Sequence, residues 1–383
     1  MDKAGTSGGI RGKMLLFVAF LIVCFNLRTG FDSPDPLLGT IERDMGLSLE
    51  NSGLFALLPV FVLGVAAPIS PWKIIFWFQL LAVAGIFWRS WDGVAGLYGG
   101  MVLMGLGMGI AGAAIPGLIK HQFPDRASAM MGVYSAMIGV GSAAASGLSV
   151  PISNMLGGWR FGLGIWIIPI LLGMLVWGAY FLRHPAGVFQ SDPAASGHNL
   201  LRSGKAWQVT VFYLSRVGAA YFFYTWIPIF LRQRGMSYED AGFILSVAMF
   251  AQLPATLSAH VLEKATGGRG LLIVMAMALA ALSCWGILYF PPDWALWMAI
   301  LFGLATGTVF SRGMALMVER ARTPSESIRL SGMSQGIGFT MGALLSLLFT
   351  SFLHQGGSFL PFCLVYTFFC VLGMVSGRMS ARP

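Results

Sequence analysis

Long apolar stretches alternate with short polar segments along the whole chain, and their spacing predicts twelve membrane-spanning helices. A bilayer core is crossed by about 20 apolar residues in helical form, and most of the stretches reach that length. Their approximate ranges are 13–40, 51–70, 72–90, 94–119, 128–151, 161–182, 207–231, 241–262, 270–290, 294–318, 328–352 and 358–377. The pattern therefore predicts an all-α membrane protein.

The longest polar insert divides the twelve spans into two sets of six. It runs from Arg183 to about residue 206 and is rich in proline, glycine and serine. We interpret residues 1–182 and 207–383 as two six-helix bundles, with residues 183–206 as a cytoplasmic linker. Gly46–Gly53 after span one resembles Gly235–Gly242 after span seven, and Gly105–Gly109 in span four resembles Gly303–Gly307 in span ten. Two matches in the same order indicate an internal repeat.

Basic residues are distributed unevenly between alternate loops. With the N-terminus inside, 16 of the 24 lysines and arginines fall in cytoplasmic segments and only five in external ones. The positive-inside rule then places both termini in the cytoplasm of a bacterial-type inner membrane. The net charge of +9 is explained by this topology, so we expect a lipid bilayer as the surrounding partner and no nucleic acid.

Composition supports the same class of protein. Hydrophobic residues make up 56% of the chain and charged residues only 10%, with a mean hydropathy of +0.76. A soluble protein carries about 25% charged residues. The four cysteines all fall in apolar spans and are expected to pack there. Because the sequence shows no catalytic pair, phosphate loop or metal-ligand spacing, we expect no enzyme activity, cofactor or metal.

Three charged residues lie in the first span, where lipid would not tolerate them. They are Arg28, Asp32 and Asp35, close to Pro34 and Pro36. A charge at a helix centre costs roughly 2.5–3.5 kcal/mol on insertion scales, and intramembrane charges usually face a protein interior or a wet cavity. The prolines are expected to kink the helix there. This stretch favours a membrane carrier with a charged internal site.

Several short motifs resemble the cyanate porter family of the major facilitator superfamily, whose characterised members handle cyanate or 2-nitroimidazole. They are Asn26-Leu27-Arg28, Pro36-Leu37-Leu38, Leu57–Val60, Leu118–Pro124 and Ser331–Gly338. The resemblance implies a secondary active transporter with rocker-switch alternating access, in which spans one, four, seven and ten line a central cavity. The usual basic loop between spans two and three is short here, and its gating motif is not visible.

Arginines in the equivalent spans of the two halves point to an anionic substrate. Arg28 in span one and Arg216 in span seven are separated by nearly the offset of the repeat, and Arg312 lies in span ten. A guanidinium group stays charged and presents a planar fork to oxyanions. We therefore predict that all three bind a small anion. The alternative is purely structural pairing, of Arg28 with Asp32 on one helix face and of Arg216 or Arg312 with Asp35.

Further candidates follow from the surrounding polar residues. Asp32 and Asp35 are hypothesised to couple transport to protons. Burial raises the pKa of a carboxyl group and a nearby arginine lowers it, so a carboxyl group between these effects can bind and release a proton. The competing hypothesis is efflux of drug-like aromatic or cationic compounds that Asp32 and Asp35 would recognise. Five polar side chains are additional substrate-binding candidates: Asn26, Tyr134, Tyr224, Gln252 and Gln335.

Overall fold

The structure is a computed structural model that describes residues 10–46, 71–183, 200–353 and 359–382. Four short 3-10 helices, Asp35–Leu37, Pro124–Arg126, Leu200–Arg202 and Pro292–Trp294, connect longer elements within these ranges. The α-helices are α1 Ile10–Asp32, α2 Leu38–Met45, α3 Pro71–Trp91, α4 Gly93–Gln122, α5 Ala127–Leu156, α6 Trp159–Gly164, α7 Ile167–Arg183, α8 Gly204–Gln233, α9 Tyr238–Ala265, α10 Leu271–Tyr289, α11 Ala295–Glu319, α12 Pro324–Leu353 and α13 Leu360–Ala381. No strand occurs in these ranges, and the predicted all-α class is confirmed.

The helices correspond to the predicted spans with two local differences. Span one ends at Asp32 instead of residue 40, and the chain continues through a 3-10 turn into the separate helix α2. Span six is split into α6 and α7, with Pro169 in the first turn of α7, where a missing N–H is tolerated. The predicted span 51–70 and the middle of the linker, residues 184–199, lie outside the described residues.

Eight of the described helical segments are long and apolar enough to cross a membrane. Their outer faces carry large apolar side chains, among them Leu175, Val261 and Leu282, each more than 60% exposed. Exposed apolar surface of this extent marks a membrane-facing protein.

The two halves pack their helices in the same way. We call α1–α7 the first half and α8–α13 the second half. In the first half α1 packs against α5 and α7, while α3 packs against α4 and α7. The equivalent pairs recur in the second half, where α8 packs against α12 and α13, while α10 packs against α11 and α13. The internal repeat expected from the sequence is therefore present in the helix packing.

The halves meet through α4, α5, α9, α11 and α12. Contacts join α12 to α4, α9 to α5, and α11 to both α4 and α5. These contacts bring the two halves together around the space into which Arg28 of α1 and Arg216 of α8 project.

Arg89 holds the broken end of α1 in place. It is one of the five basic residues that the sequence analysis counts in external segments, but its side chain is fully buried. Its guanidinium donates to the Gly30 carbonyl and, over 2.8 Å, to the Ser33 hydroxyl. Helix ends leave carbonyl groups without intrahelical partners. Arg89 supplies such partners beside Asp32, which stabilises the stretch of α1 that carries the charges.

Helix α2 is anchored at its C-terminal end by Asp44. The indole Nε1 of Trp159 donates to the Asp44 carboxylate over 2.8 Å, and Arg160 does so over 3.1 Å. The Trp159 hydrogen bond, followed by the nearby Arg160, lowers the pKa of the Asp44 carboxyl below its ordinary value. These contacts dock α2 onto α6.

Candidate functional site

A small cavity lies between the two halves and collects four of the predicted site residues. Its volume is about 30 Å³, which is room for one or two water molecules. Arg28, Arg216, Tyr134 and Gln335 line it. The remaining lining residues are Leu27, Met108, Gly112, Ile138, Tyr213, Phe310, Met314 and Phe339. Helices α1, α4 and α5 of the first half therefore face α8, α11 and α12 of the second half across this space.

Arg28 forms one wall of the cavity and is paired with an acid. Its Nη1 lies 3.1 Å from Oδ1 of Asp32, one helical turn further along α1. Asp32 is only 7% exposed. The Arg28 guanidinium also lies 5.1 Å from the ring centre of Phe31, and the Tyr221 hydroxyl of the second half interacts with it. The structural pairing of Arg28 with Asp32 is thus observed, but it leaves Arg28 at the cavity surface.

Arg216 lies across the cavity and has no acidic partner in the described part of the chain. No carboxylate described there lies within ion-pair distance of it. Its guanidinium lies against two aromatic rings, 4.9 Å from the centre of Tyr213 and 4.5 Å from that of Phe310. Its buried Nε has no hydrogen-bond acceptor. The guanidinium plane is therefore held by aromatic faces, while its charge is not neutralised by a described carboxylate.

Gln335 connects the halves at the cavity wall. Its amide Nε2 donates to the Gly112 carbonyl over 3.0 Å and to the Ser331 hydroxyl over 2.7 Å. A Cβ on residue 112 would lie 3.1 Å from the Gln335 amide oxygen and 3.9 Å from the Tyr134 hydroxyl. Glycine at this position lets α12 approach α4 closely enough for that hydrogen bond to form.

The other predicted polar residues lie away from this cavity. Asn26 donates to the Pro169 carbonyl over 2.8 Å and so faces α7 within the first half. Gln252 donates to the Tyr224 hydroxyl over 2.6 Å, which pairs two predicted residues with each other inside the second half. The side chain of Asp35 lies outside the described residues, although its backbone belongs to the 3-10 turn.

Arg312 is placed differently from the expectation that grouped it with Arg28 and Arg216. It is 3% exposed and does not line the cavity. Its Nη atoms donate to the two carboxylate oxygens of Glu319 over 3.1 and 3.0 Å. Glu263 Oε2 lies 3.5 Å from its Nε, near enough for an ion pair but not aligned as a hydrogen bond. The physical reason is that Glu319 lies two turns along the same helix and draws the guanidinium toward that end.

Further contacts between the halves surround Arg312 at this end of the bundle, which we call the Lys120 end. The Lys120 ammonium donates to the carbonyls of Val318 and Ala321 over 2.8 and 2.6 Å. Ser128 of the first half lies 2.9 Å from the His260 ring and 3.5 Å from Arg312 Nη1. These bonds hold the two halves together beyond the cavity.

Sequence reasoning missed the aromatic partners of Arg216 and the acids of Arg312. Tyr213 precedes Arg216 by three residues, a helical neighbour spacing that the sequence does contain. Phe310 comes from another helix, and no local pattern connects the two. The described residues contain no group of three or more metal-ligating side chains.

An all-helical membrane bundle of two similar halves, with a charged cavity between them, defines the class of secondary transporters. Comparison with known sequences gives the family. The sequence profile of the Major Facilitator Superfamily matches residues 16–350, and the chain belongs to that superfamily.

Known relatives cover most of the chain and are transporters. The uncharacterised transporter YycB of Bacillus subtilis (strain 168) is 30% identical over 86% of this chain and 84% of its own. The 2-nitroimidazole transporter of Escherichia coli (strain K12) is 27% identical over 88% of both chains. The cyanate transport protein CynX of the same strain is 23% identical over 86% of this chain and 87% of its own. The resemblance to the cyanate porter family is confirmed.

A solved structure shares the fold. The proton:xylose symporter XylE superposes with a TM-score of 0.76 at 12% identity, covering 95% of this chain and 94% of that one. The predicted major facilitator fold is confirmed, and membership of a transporter family points to a function other than enzymatic catalysis.

Proposed function

We propose that this protein is a secondary active transporter of a small anion, which binds between Arg28 and Arg216. The observation that carries the proposal is the Arg216 guanidinium, which faces the cavity without a carboxylate partner among the described residues. It lies opposite Arg28, whose charge is balanced by Asp32. Arg216 is half-buried, a charge that is partly withdrawn from water without a counter-ion is costly, and an anionic substrate would supply that counter-ion.

The geometry also favours a small, planar anion. The cavity is narrow, and rings of Tyr213 and Phe310 flank the Arg216 guanidinium. A planar fork that lies over aromatic faces suits a flat or linear oxyanion. Two relatives are named for cyanate and 2-nitroimidazole, which are both small, and cyanate is an anion. These chemistries define the substrate class that we propose.

Cation efflux is less well supported by the arrangement. Asp32, which would recognise a cation, already accepts a hydrogen bond from Arg28. A cationic drug would have to displace that guanidinium in a cavity that holds a second arginine. The positive charges of the drug and of Arg216 would repel each other inside the cavity.

The contacts between the halves support the proposed alternating access. Lys120, Gln335 and Ser128 each bond to the opposite half on the Lys120 side of the cavity or at its wall. Breaking these bonds would open that end. We propose, from the distribution of basic residues, that the Lys120 end and both termini face the cytoplasm.

The first test is a thermal-shift screen of the purified protein. Cyanate, nitrate, 2-nitroimidazole and cationic aromatic drugs are each titrated, since a ligand that binds only the folded state raises the unfolding temperature. We expect small anions to stabilise the wild type and Arg28→Ala to lose most of that shift. Stabilisation by the cationic drugs alone would overturn the anion assignment.

The proposed proton coupling depends on competition for Arg28. Asp32 and a bound anion both require the same guanidinium, so protonation of Asp32 would free Arg28 for the substrate. Lower pH is therefore expected to strengthen anion binding by the wild type. Asp32→Asn is expected to bind as tightly at neutral pH as the wild type does in acid, with no further dependence on pH.

The matched control is Asp44→Asn, since Asp44 is also paired with an arginine but lies outside the cavity. It is expected to retain the wild-type pH dependence of binding. If Asp32→Asn keeps that dependence as well, Asp32 is not the coupling group.

A further inference from the structure

A second, larger cleft lies at the Lys120 end and is separate from the central cavity. Its volume is about 520 Å³, within the range of ordinary small-molecule sites. The first half contributes Lys120, Pro124, Asp125, Arg126, Ala127 and Ser128. The second half contributes His260, Lys264, Val318, Glu319, Arg322 and Pro324. The cleft thus exists because the two halves meet at this end.

The charge of the cleft is predominantly positive. Four lysines and arginines line it, against the two carboxylates of Asp125 and Glu319. Glu319 is already bound by Arg312, through both of its oxygens. Lys120 donates to two neutral carbonyls rather than to a carboxylate. Lys120 lies in the field of the Glu326 and Glu319 carboxylates, but none of the four basic side chains forms an ion pair with an acid in the described ranges.

Three of the basic side chains are exposed and can contact an anion in the cleft. Arg126, Lys264 and Arg322 are exposed at the rim, and none forms an ion pair within the described ranges. Arg126 comes from the first half, whereas Lys264 and Arg322 come from the second. Like charges brought together from two bodies repel each other, and an anion between them would relieve that repulsion.

Backbone N–H groups at a helix N-terminus add to the positive potential of the cleft. Helix α5 begins at Ala127 with no side-chain cap and no acid in its first turn, whereas α12 begins at Pro324 with Glu326 in its first turn and the Thr323 hydroxyl accepting from the Glu326 N–H. Both starts line the cleft. A helix N-terminus carries partial positive charge and free N–H donors, which suit phosphate groups, and at this cleft α5 supplies them because the start of α12 is capped.

We infer that this cleft binds a phosphate-bearing anion, held by Arg126 of the first half and by Lys264 and Arg322 of the second. An anion that contacts both halves stabilises the conformation in which this end is closed. The site differs from the transport cavity in position, size and ligand, and it does not depend on the proposed substrate. A free phosphate compound and an anionic lipid headgroup share the required chemistry.

The experiment measures binding of pyrophosphate to the full-length purified protein by thermal shift and calorimetry. Wild type and Arg216→Ala are expected to bind equally, because Arg216 lies in the other cavity. The double variant Arg126→Ala/Lys264→Ala is expected to bind about tenfold more weakly, since each of the two exposed charge contacts contributes about half a power of ten in affinity. Arg202→Ala, an exposed arginine outside the cleft, is expected to leave binding unchanged.

Two further measurements complete the test. Nanodiscs distinguish a lipid headgroup from a free phosphate compound, and additional variants separate loss of binding from loss of folding. Nanodiscs of phosphatidylcholine with and without phosphatidylglycerol report whether a lipid headgroup occupies the cleft and competes with pyrophosphate. The charge-preserving variant Arg126→Lys/Lys264→Arg should restore binding, and Lys264→Ala/Arg322→Ala repeats the test if the first pair does not fold. Binding of neither pyrophosphate nor phosphatidylglycerol, or equal binding by the wild type and by a folded double variant, would overturn the inference.

Discussion

Replacing Arg216 with alanine is expected to weaken anion binding about 100-fold and to stop uptake, while leaving the protein folded. Charge-assisted hydrogen bonds contribute about 1.5–3 kcal/mol each, and 2.7 kcal/mol corresponds to about two powers of ten in affinity. Arg216 offers its fork to the cavity from the second half and has no carboxylate partner in the described structure. Its loss therefore removes a ligand contact but leaves no described acid unpaired.

The stability of the same variant separates binding from folding. Without a ligand, the unfolding temperature of Arg216→Ala is expected to equal or exceed that of the wild type, because a half-buried charge without a described carboxylate partner has been removed. Ligand titrations by thermal shift, together with uptake into proteoliposomes, measure both effects.

Two control variants test whether the planar guanidinium of Arg216 itself binds the anion. Arg216→Lys keeps the charge but loses the planar fork, and we expect affinity between that of wild type and alanine. Arg202→Ala, on an exposed 3-10 turn, should behave as wild type. Full uptake by Arg216→Ala would show that the anion is bound elsewhere.

Arg312→Ala is expected to destabilise the protein by about 3–5 kcal/mol, the usual cost of removing one member of a buried ion pair. Glu263, only 6% exposed, and Glu319 would lose the guanidinium between them. The contact of Arg312 with Ser128 of the first half would also be lost. Thermal unfolding in detergent, without ligand, measures the change.

A triple variant tests the reason for that loss. In Arg312→Met/Glu263→Gln/Glu319→Gln no charge of the network remains, and buried ion networks replaced as a whole are often neutral in stability. We expect the triple variant to recover much of the lost stability. A wild-type unfolding temperature for Arg312→Ala, or no recovery in the triple variant, would contradict the assigned role.

Arg216→Ala and Arg312→Ala both replace an intramembrane arginine with alanine, but we expect only Arg312→Ala to destabilise the fold. Both arginines lie in apolar spans, and the pattern of intramembrane charges predicted a substrate role for each. The structure surrounds Arg216 with aromatic rings at the central cavity and surrounds Arg312 with two glutamates at the Lys120 end. The role of an intramembrane charge thus depends on which neighbours the fold brings to it.

The prediction of the fold from sequence succeeded because its signals are local. Hydropathy over a window of about 20 residues predicts a span regardless of its neighbours. The repeat between Gly46–Gly53 and Gly235–Gly242 predicted the matching packing of the two halves. Spacing along one helix also predicted the pair formed by Arg28 and Asp32.

The composition of the candidate site was decided by tertiary packing. Local sequence placed Asn26 beside Arg28, but the helix turns its amide toward Pro169. Gln335 donates a hydrogen bond to Gly112, which is 223 residues away in the sequence. Phe310 contacts Arg216 from another helix.

The sequence by itself determined that the chain spans a membrane as two related sets of helices with charge inside them. Only the tertiary structure decided that Arg28 and Arg216 share a cavity while Arg312 is bound by acids elsewhere. The physical reason is that insertion into lipid depends on each segment's own hydrophobicity. Which face of each helix meets which other helix depends instead on close packing and hydrogen bonds between residues far apart in sequence.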